Sequence, residues 1–273
     1  MNGSDIKTAP FGSAAVRDSV YPIKEKAQPY YLTRENNDSV AVLIHGFTGS
    51  PNDMRELADF LFSRGIDAYA VRVAGHGTHI DDLMQTTYED WLASVKNVVD
   101  ELHGSGKRIF LVGYSFGANL VLDLAAKDPK LYEGIVCLGT SIYWRSRAYY
   151  YILYNIFRLF GIKKVRKPYV PKYNIETFEA AGNYAVIPTN GLGRFRDFVR
   201  HHTRRKLHQV TTPVLIIHSR DDRISDPKSS DYLFEHIGSQ YKEMFVLREL
   251  NHNPLRSDNK NTIFERVVHF IQN

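Results

Sequence analysis

A serine stands between two glycines in residues 113–117, which read Gly-Tyr-Ser-Phe-Gly. The apolar run over residues 108–112 predicts a buried strand before it, and the pattern over residues 118–126 predicts a helix after it. A G-x-S-x-G motif between a strand and a helix is typical of a nucleophile elbow, a strained turn that lifts the serine clear of the sheet. The flanking glycines remove side chains that would clash with the neighbouring strand and helix. The motif therefore predicts that Ser115 is the nucleophile of an acyl-transfer reaction.

A serine hydroxyl needs a histidine to accept its proton and a carboxylate to fix the tautomer of the imidazole. In one established arrangement these groups follow one another along the chain as serine, acid and histidine. The strand predicted at residues 214–217 leads into a turn that contains Asp221 and Asp222. We predict Asp222 as the acid and keep Asp221 as the alternative. Asp226, which precedes a proline, is predicted to cap a turn or the next helix.

Three histidines follow Asp222 along the chain. His236 and His269 lie inside helical patterns, which predicts places in the core or on the surface for both. His252 lies in a loop after the strand predicted at residues 244–247, and such a loop can bring an imidazole over the serine. His252 is therefore predicted to be the general base.

The reaction also needs hydrogen-bond donors for the oxyanion that forms when the serine attacks a carbonyl. Residues 45–49, His-Gly-Phe-Thr-Gly, follow the first strong strand, and their small residues let backbone N–H groups point into a site. The backbone N–H groups of Phe47 and Phe116 are the predicted donors. His45 is predicted to orient this loop, and His76, in a Gly-His-Gly turn, is predicted to support packing.

Short, β-branched apolar runs alternate with helical patterns, which predicts parallel strands covered on both faces. The predicted strands cover residues 40–44, 68–73, 109–112, 135–138, 214–217 and 244–247, with an edge strand at 30–33. Ser50 and Asp53 indicate the start of one helix, Thr87 and Asp90 indicate the start of another, and residues 263–271 form a closing helix. The alternation predicts an α/β fold with a doubly wound, mostly parallel sheet.

Residues 142–206 interrupt this alternation. They contain 14 Lys and Arg against three acidic residues, and 14 aromatic residues, whereas the whole chain has a net charge of +5. The segment follows the strand after the elbow helix, at the sheet edge where open α/β sheets bind ligands. We therefore predict a mainly helical cap over residues 142–206, a core formed by residues 36–141 and 207–273, and an N-terminal extension over residues 1–35. The alternative is that this segment forms helices that pack on the core and only stabilise the fold. Residues 149–160 also fit a membrane-surface helix.

Composition narrows the function further. The 273 residues contain one cysteine, Cys137, within an apolar run, which predicts a buried thiol and excludes a disulfide framework within the chain. The start of the sequence lacks the pattern of a signal peptide, and no stretch has the roughly 20 apolar residues of a membrane span, so we predict a cytoplasmic protein.

His201, His202 and His208 lack nearby carboxylates at ligand spacing and fit a solvated basic face better than a metal site. We predict no metal and no cofactor.

The motifs His-Gly-Phe-Thr-Gly, Gly-His-Gly and Gly-Tyr-Ser-Phe-Gly, with the Asp222 turn and the loop of Asn251 and His252, resemble the bacterial carboxylesterase and monoacylglycerol lipase branch of the α/β-hydrolases. The resemblance covers residues 38–141 and 207–273. It implies hydrolysis of carboxylic esters, often of short to medium acyl chains or monoglycerides, beneath a small cap. The residues that it implies as catalytic triad and oxyanion donors are Ser115, Asp222, His252, Phe47 and Phe116. Two features depart from the branch, namely a longer and more basic cap, and Asn251 where glycine or histidine commonly precedes the histidine.

The predicted function is therefore a serine hydrolase that cleaves small carboxylic esters through an acyl-enzyme on Ser115. A peptidase, a thioesterase or an acyltransferase uses the same triad and stays open as an alternative. A dehalogenase or an epoxide hydrolase would need an aspartate at position 115 and is disfavoured. A non-catalytic ligand-binding module is the rival from another class. Nucleic-acid binding through the basic cap is disfavoured, because a cap over a pocket explains the same residues, whereas contact of the cap with a lipid interface stays open.

Overall fold

The computed structural model describes residues 6–8, 19–145, 154–157, 159–168, 170–248 and 252–273. Ten strands occur in this part of the chain, and eight of them form one central sheet in the order β1-β2-β4-β3-β5-β6-β9-β10. The strands are β1 (Ile6–Thr8), β2 (Tyr30–Leu32), β3 (Ser39–Ile44), β4 (Asp67–Val71), β5 (Arg108–Tyr114), β6 (Gly134–Leu138), β7 (Lys164–Arg166), β8 (Val186–Pro188), β9 (Val214–Ser219) and β10 (Lys242–Leu247).

The central sheet is mostly parallel. β4, β3, β5, β6, β9 and β10 pair in parallel, and only β1 and β2 of the described strands in this sheet run antiparallel to their neighbours. The carboxyl ends of the parallel strands therefore meet at one edge, where side chains from distant parts of the sequence can converge. The predicted fold class is confirmed. The strand predicted at residues 30–33 is present as β2, but β1 pairs with its outer side, so β2 is not the edge strand that was predicted.

Helices cover both faces of the sheet, as the alternation of strand and helix patterns in the sequence predicts. The described α-helices are α1 (Arg55–Ser63), α2 (Ile80–Gln85), α3 (Tyr88–His103), α4 (Phe116–Lys127), α5 (Ile175–Ala180), α6 (Thr189–Phe198), α7 (Arg204–Lys206), α8 (Lys228–His236) and α9 (Lys260–Gln272). The capping box of Thr87 and Asp90 is present at the start of α3. The helix predicted from Ser50 begins with a 3₁₀ turn over Pro51–Met54 before α1. Among the described residues, no helix combines the length and the apolar character that a membrane crossing requires.

The two faces of the sheet bury two separate apolar clusters. Along β3, Val40 and Val42 belong to one cluster and Ala41 and Leu43 to the other, because successive side chains of a strand point to opposite faces. α3 and α4 pack on the first face, whereas α1 and α9 pack on the second. Cys137 of β6 is buried in the first cluster, as predicted. The central strands β3, β4, β5, β6 and β9, which are buried apart from Arg108, thus support the loops at the carboxyl edge, whereas β10 is partly exposed.

The segment between β6 and β9 differs from the core in structure as well as in composition. Its described residues contain α5, α6 and an antiparallel ribbon of β7 and β8, which the sequence reading did not predict. After α6 the chain continues through a π-helical turn over Val199–Thr203 into α7. Half of the membrane-surface helix predicted over residues 149–160, namely residues 149–153 and 158, lies outside the described residues, whereas residues 154–157 are helical.

Candidate active site

Ser115 occupies a strained turn at the end of β5. Its φ of 53° and ψ of −109° lie outside the regions that L-residues prefer, and it is one of two non-glycine residues with positive φ among those described. Such a conformation costs of order 1–3 kcal/mol and persists only where the surroundings enforce it. A Cβ on Gly117 would collide with the carbonyl oxygens of Ile44 and His45, and one on Gly113 would collide with the backbone of Gly117. The two glycines of the motif are therefore needed for close packing of the backbone.

Ser115, His252 and Asp222 are connected by hydrogen bonds at the carboxyl edge of the sheet. Ser115 Oγ lies 2.9 Å from His252 Nε2, and His252 Nδ1 lies 2.8 Å from Asp222 Oδ2. The serine is buried, with 6% of its surface exposed. The geometry lets the imidazole take the hydroxyl proton while the carboxylate holds the opposite ring nitrogen. The structure thus brings together the three residues that the sequence analysis selected.

Asp222 is buried and its second oxygen is also occupied. Asp222 Oδ1 accepts hydrogen bonds from the backbone N–H groups of Ile224 and Ser225, at 2.8 and 2.9 Å. Burial acts to raise the pKa of Asp222, but the hydrogen bond and charge of His252 and the two backbone donors outweigh burial and lower the pKa. The carboxylate is therefore kept ionised and fixed in orientation toward the imidazole.

The alternative acids do not reach the imidazole in this way. Asp221 is exposed, and its backbone N–H donates to Ser219 Oγ. Asp226 Oδ1 accepts from the backbone N–H of Lys228 at 3.0 Å, which fits its predicted role as a cap at the next helix. His236 lies in α8 and His269 lies in α9, as their helical patterns indicated.

The loop of Phe47 lies directly against the elbow. A Cβ on Gly46 would stand 3.0 Å from the ring of Tyr114 and 3.7 Å from Ser115 Cβ, so this loop passes beside the nucleophile. Phe116 is the first residue of α4, where backbone N–H groups have no acceptor within the helix. The rings of Phe47 and Phe116 pack edge to face, with centroids 5.5 Å apart. Both predicted oxyanion donors therefore belong to backbone segments that flank Ser115 and are fixed by aromatic packing.

His45 and His76 are buried beneath this loop. His45 Nδ1 lies 2.9 Å from the carbonyl oxygen of Gly46, and its Nε2 accepts from the backbone N–H of Val73. Burial lowers the pKa of His45 to about 4, and it also lowers the pKa of His76, whose ring contacts that of His45. Two neutral, hydrogen-bonded imidazoles thus pack beneath the loop, which agrees with the loop-orienting role predicted for His45 and the packing role predicted for His76.

The second half of the 142–206 segment is attached to the core beside the site. The backbone N–H of Tyr184 donates to the carbonyl oxygen of Thr48 at 2.9 Å, and the Tyr184 hydroxyl donates to the carbonyl oxygen of Gly75 at 2.8 Å. The ring of Phe195 stacks on Phe47, with centroids 5.6 Å apart. These contacts attach Tyr184 and Phe195 to the loop of Phe47, which lies beside Ser115. His202, one of the three histidines considered for a metal, instead lies beside Asp123 of α4, which also pairs with Lys206 and Lys127.

Two polar residues near the site were missed by the sequence reading. Ser141 Oγ lies 3.2 Å from Ser115 Oγ, and Arg145 Nη1 donates to the backbone carbonyl of Asp222 at 2.6 Å. Both residues follow β6, whose carboxyl end adjoins that of β5 in the sheet. The sequence shows that both residues follow the next predicted strand after the elbow, but it does not show that this strand is the neighbour of β5 in the sheet. Serine and arginine are, however, too common at loop positions to stand out without the structure.

The strand order, the parallel sheet and the serine at the elbow after β5 define the chain as an α/β-hydrolase. A model of the hydrolase family described as serine aminopeptidase, S33, matches residues 35–259. The chain belongs to this family, and the predicted superfamily is confirmed.

Individual relatives extend over nearly the whole chain. The thermostable monoacylglycerol lipase of Bacillus sp. (strain H-257) is 31% identical over 259 residues, which cover 92% of this chain and 96% of that protein. The carboxylesterase of Bacillus subtilis (strain 168) is 23% identical, over 89% of this chain and 96% of that protein. Among solved structures, one from a study of the metagenome-derived lipolytic enzymes LipS and LipT has a TM-score of 0.78 and 25% identity, covering 92% of this chain and 99% of that one.

Proposed function

We propose that the protein is a serine hydrolase that cleaves carboxylic esters through an acyl-enzyme on Ser115. The observation that carries the proposal is the continuous hydrogen-bonded chain from Ser115 Oγ through His252 to the buried Asp222. Two curated relatives that span about nine-tenths of this chain carry ester-hydrolase names, a monoacylglycerol lipase and a carboxylesterase. Geometry and relatives therefore support the same class of reaction.

In the proposed reaction, Ser115 Oγ attacks the ester carbonyl while its proton moves to His252 Nε2. The backbone N–H groups of Phe47 and Phe116 stabilise the oxyanion of the tetrahedral intermediate. The imidazolium then protonates the departing alcohol, which leaves an acyl group on Ser115. Water, deprotonated by His252, attacks this acyl-enzyme, and the acid departs as the proton returns to Ser115. No metal or cofactor enters these steps.

We propose that residues 142–206 form the cap of this site and that the substrate carries a lipophilic acyl chain of medium length. The ring of Phe47 contacts the aromatic rings of Trp91, Phe116 and Phe195. The rings of Trp91 and Phe116 also contact each other. An apolar surface beside this loop would favour a lipophilic acyl chain, because each methylene that it buries contributes about 0.8 kcal/mol. The positive field of the cap would attract esters at anionic interfaces.

A series of p-nitrophenyl esters from acetate to dodecanoate tests the substrate class. We expect kcat/KM to rise by up to about fourfold per methylene and to reach its maximum at a medium chain length. A maximum at acetate would contradict the proposal. The family description names an aminopeptidase, so matched aminoacyl p-nitroanilides and acyl thioesters belong in the same series. Faster turnover of an amide or a thioester than of the ester would favour the second candidate, a peptidase or a thioesterase.

We also propose that the cap contacts lipid interfaces. Leu159 is 82% exposed and Phe160 is 73% exposed, and Ile156 and Ile162 beside them are also exposed. Lys163 follows this apolar patch and is exposed as well. Large apolar side chains beside lysines match the two attractions of an anionic membrane surface, which are burial of apolar area and charge. The cytoplasmic location predicted from the sequence stays a prediction.

Sedimentation with phosphatidylglycerol vesicles tests the contact with lipid. The double variant Leu159→Asp, Phe160→Asp is expected to bind at least about tenfold more weakly, because two large apolar side chains no longer enter the interface. Tyr241→Asp is the matched control, since Tyr241 is 76% exposed but precedes β10 at the opposite, amino edge of the sheet. Equal binding by the double variant and the wild type would contradict the proposal.

A further inference from the structure

A second serine hydroxyl lies against the proposed nucleophile. Ser141 is 2% exposed, and its Oγ lies 3.2 Å from Ser115 Oγ. No step of the reaction described above uses this group. Among the described residues, Ser115 Oγ is the hydrogen-bond partner of the Ser141 hydroxyl.

Counting protons fixes the direction of this hydrogen bond. His252 Nδ1 faces the carboxylate of Asp222 and therefore carries the ring proton, which leaves Nε2 as an acceptor. Ser115 has one hydroxyl proton, and it points to that Nε2 at 2.9 Å. The oxygen of Ser115 can then only accept from Ser141. The resting site thus has Ser141 donating to Ser115, and Ser115 donating to His252.

The backbone holds Ser141 in place from both sides. The backbone N–H of Ser115 donates to the carbonyl oxygen of Leu138, and the Asn119 side-chain NH₂ lies between the two serines, 3.1 Å from the carbonyl oxygen of Ser115 and 3.5 Å from that of Ser141. On the other side, Ser225 Oγ donates to the carbonyl oxygen of Thr140 at 2.7 Å. The segment of Ser141 therefore runs between the elbow and the Asp222 turn and is anchored to each. A donor fixed in this way needs no reorganisation during the reaction.

We propose that Ser141 is a further catalytic residue, which stabilises Ser115 Oγ as the leaving group when the acyl-enzyme is hydrolysed. The inference rests on the proposed ester hydrolysis. In the acyl-enzyme, Ser115 Oγ is an ester oxygen and a weak acceptor. As the bond from the acyl carbon to Oγ breaks, the bonding electron pair returns to Oγ, and the proton on His252 Nε2 follows. The hydrogen bond from Ser141 strengthens as this negative charge develops, so it stabilises the transition state more than the acyl-enzyme.

Acylation gains less from the same hydrogen bond. Before attack, Ser115 Oγ is a hydroxyl oxygen that already accepts well from Ser141, so the starting state is stabilised too. The leaving group in acylation is the oxygen of the substrate alcohol rather than Ser115 Oγ. Loss of the Ser141 hydroxyl is therefore expected to slow the second half of the reaction selectively.

Stopped-flow hydrolysis of p-nitrophenyl butyrate separates the two halves. For Ser141→Ala we expect the burst rate, which reports acylation, to stay within about threefold of the wild type. We expect the deacylation rate to fall about tenfold, with a burst that approaches one equivalent of p-nitrophenol per enzyme. Ser141→Cys, which keeps the size of the side chain and supplies a weaker donor, should give an intermediate deacylation rate. Thr140→Val is the matched control, because it removes the neighbouring buried hydroxyl.

Labelling by a fluorophosphonate keeps this test separate from that of the proposed function. Labelling forms a bond to Ser115 Oγ without a deacylation step, so Ser141→Ala should be labelled at a rate near that of the wild type. A wild-type protein that is neither labelled nor active on esters would refute the proposed function. Two outcomes in a protein that is labelled would overturn the role of Ser141. In the first, Ser141→Ala and Ser141→Cys deacylate at the wild-type rate. In the second, acylation and deacylation are slowed equally in these variants. If Ser141→Ala does not fold, the Ser141→Cys variant decides between these outcomes.

Discussion

Replacing Ser115 by alanine is expected to lower kcat/KM on p-nitrophenyl esters by at least about 10⁴-fold. The substitution removes the atom that forms the acyl-enzyme and leaves His252 without the hydroxyl that lies 2.9 Å from its Nε2. Direct attack by water, assisted by His252 and the oxyanion donors, would account for the remaining rate. The measurement is steady-state hydrolysis of the preferred chain length, with fluorophosphonate labelling followed by mass spectrometry to locate the modified residue.

A second variant separates catalysis from folding. Ser115→Gly removes the same hydroxyl, but glycine adopts the φ of 53° at this position without the strain that serine or alanine carries. We expect Ser115→Gly to be as inactive as Ser115→Ala and at least as stable as the wild type in thermal unfolding. Turnover near the wild-type level in either variant, or labelling of a residue other than Ser115, would contradict the proposed mechanism.

The elements that carry the site were predictable because their sequence signals are local. Gly113 and Gly117 mark the elbow, and the short β-branched runs mark strands covered on both faces. His252 could be selected because the other two histidines that follow Asp222 lie in helical patterns. In each case the chain order of the motif reduced the choice to a few residues, and the structure brings the chosen residues within hydrogen-bond distance.

The contacts that were missed depend on pairing between distant segments. Ser141 and Arg145 reach the site only because β6 lies between β5 and β9 in the sheet, a neighbour relation that no local pattern states. The ribbon of β7 and β8 joins strands of three residues each, too short to show an alternating pattern. The hydrogen bond from the backbone N–H of Tyr184 to the carbonyl oxygen of Thr48 joins residues far apart in sequence. Every residue carries these backbone groups, so residue types do not predict this contact. Such features follow from the fold rather than from residue type.

Replacing Asp222 by asparagine is expected to lower kcat by about 10⁴-fold, because it reverses the tautomer of His252. The two backbone N–H groups that now donate to Asp222 Oδ1 would hold the amide oxygen of an asparagine in the same place. Its NH₂ group would then face His252 Nδ1, which must become an acceptor, so that the ring proton moves to Nε2. An Nε2–H group directed at Ser115 cannot take the hydroxyl proton. Thermal unfolding and fluorophosphonate labelling rates measure folding and nucleophilicity separately.

Asp221→Asn is the matched control for this prediction, since it makes the same chemical change one residue earlier in the same turn. The Asp221 side chain is exposed, and the hydrogen bond from its backbone N–H to Ser219 Oγ does not depend on the carboxylate. We therefore expect Asp221→Asn to keep kcat within about twofold of the wild type, as is usual for exposed side chains that contact no reacting group. If Asp221→Asn were the more damaging change, the acid of the triad would be Asp221. If neither change mattered, His252 would act without a carboxylate partner, and the hydrogen bond of 2.8 Å to Asp222 would have no part in catalysis.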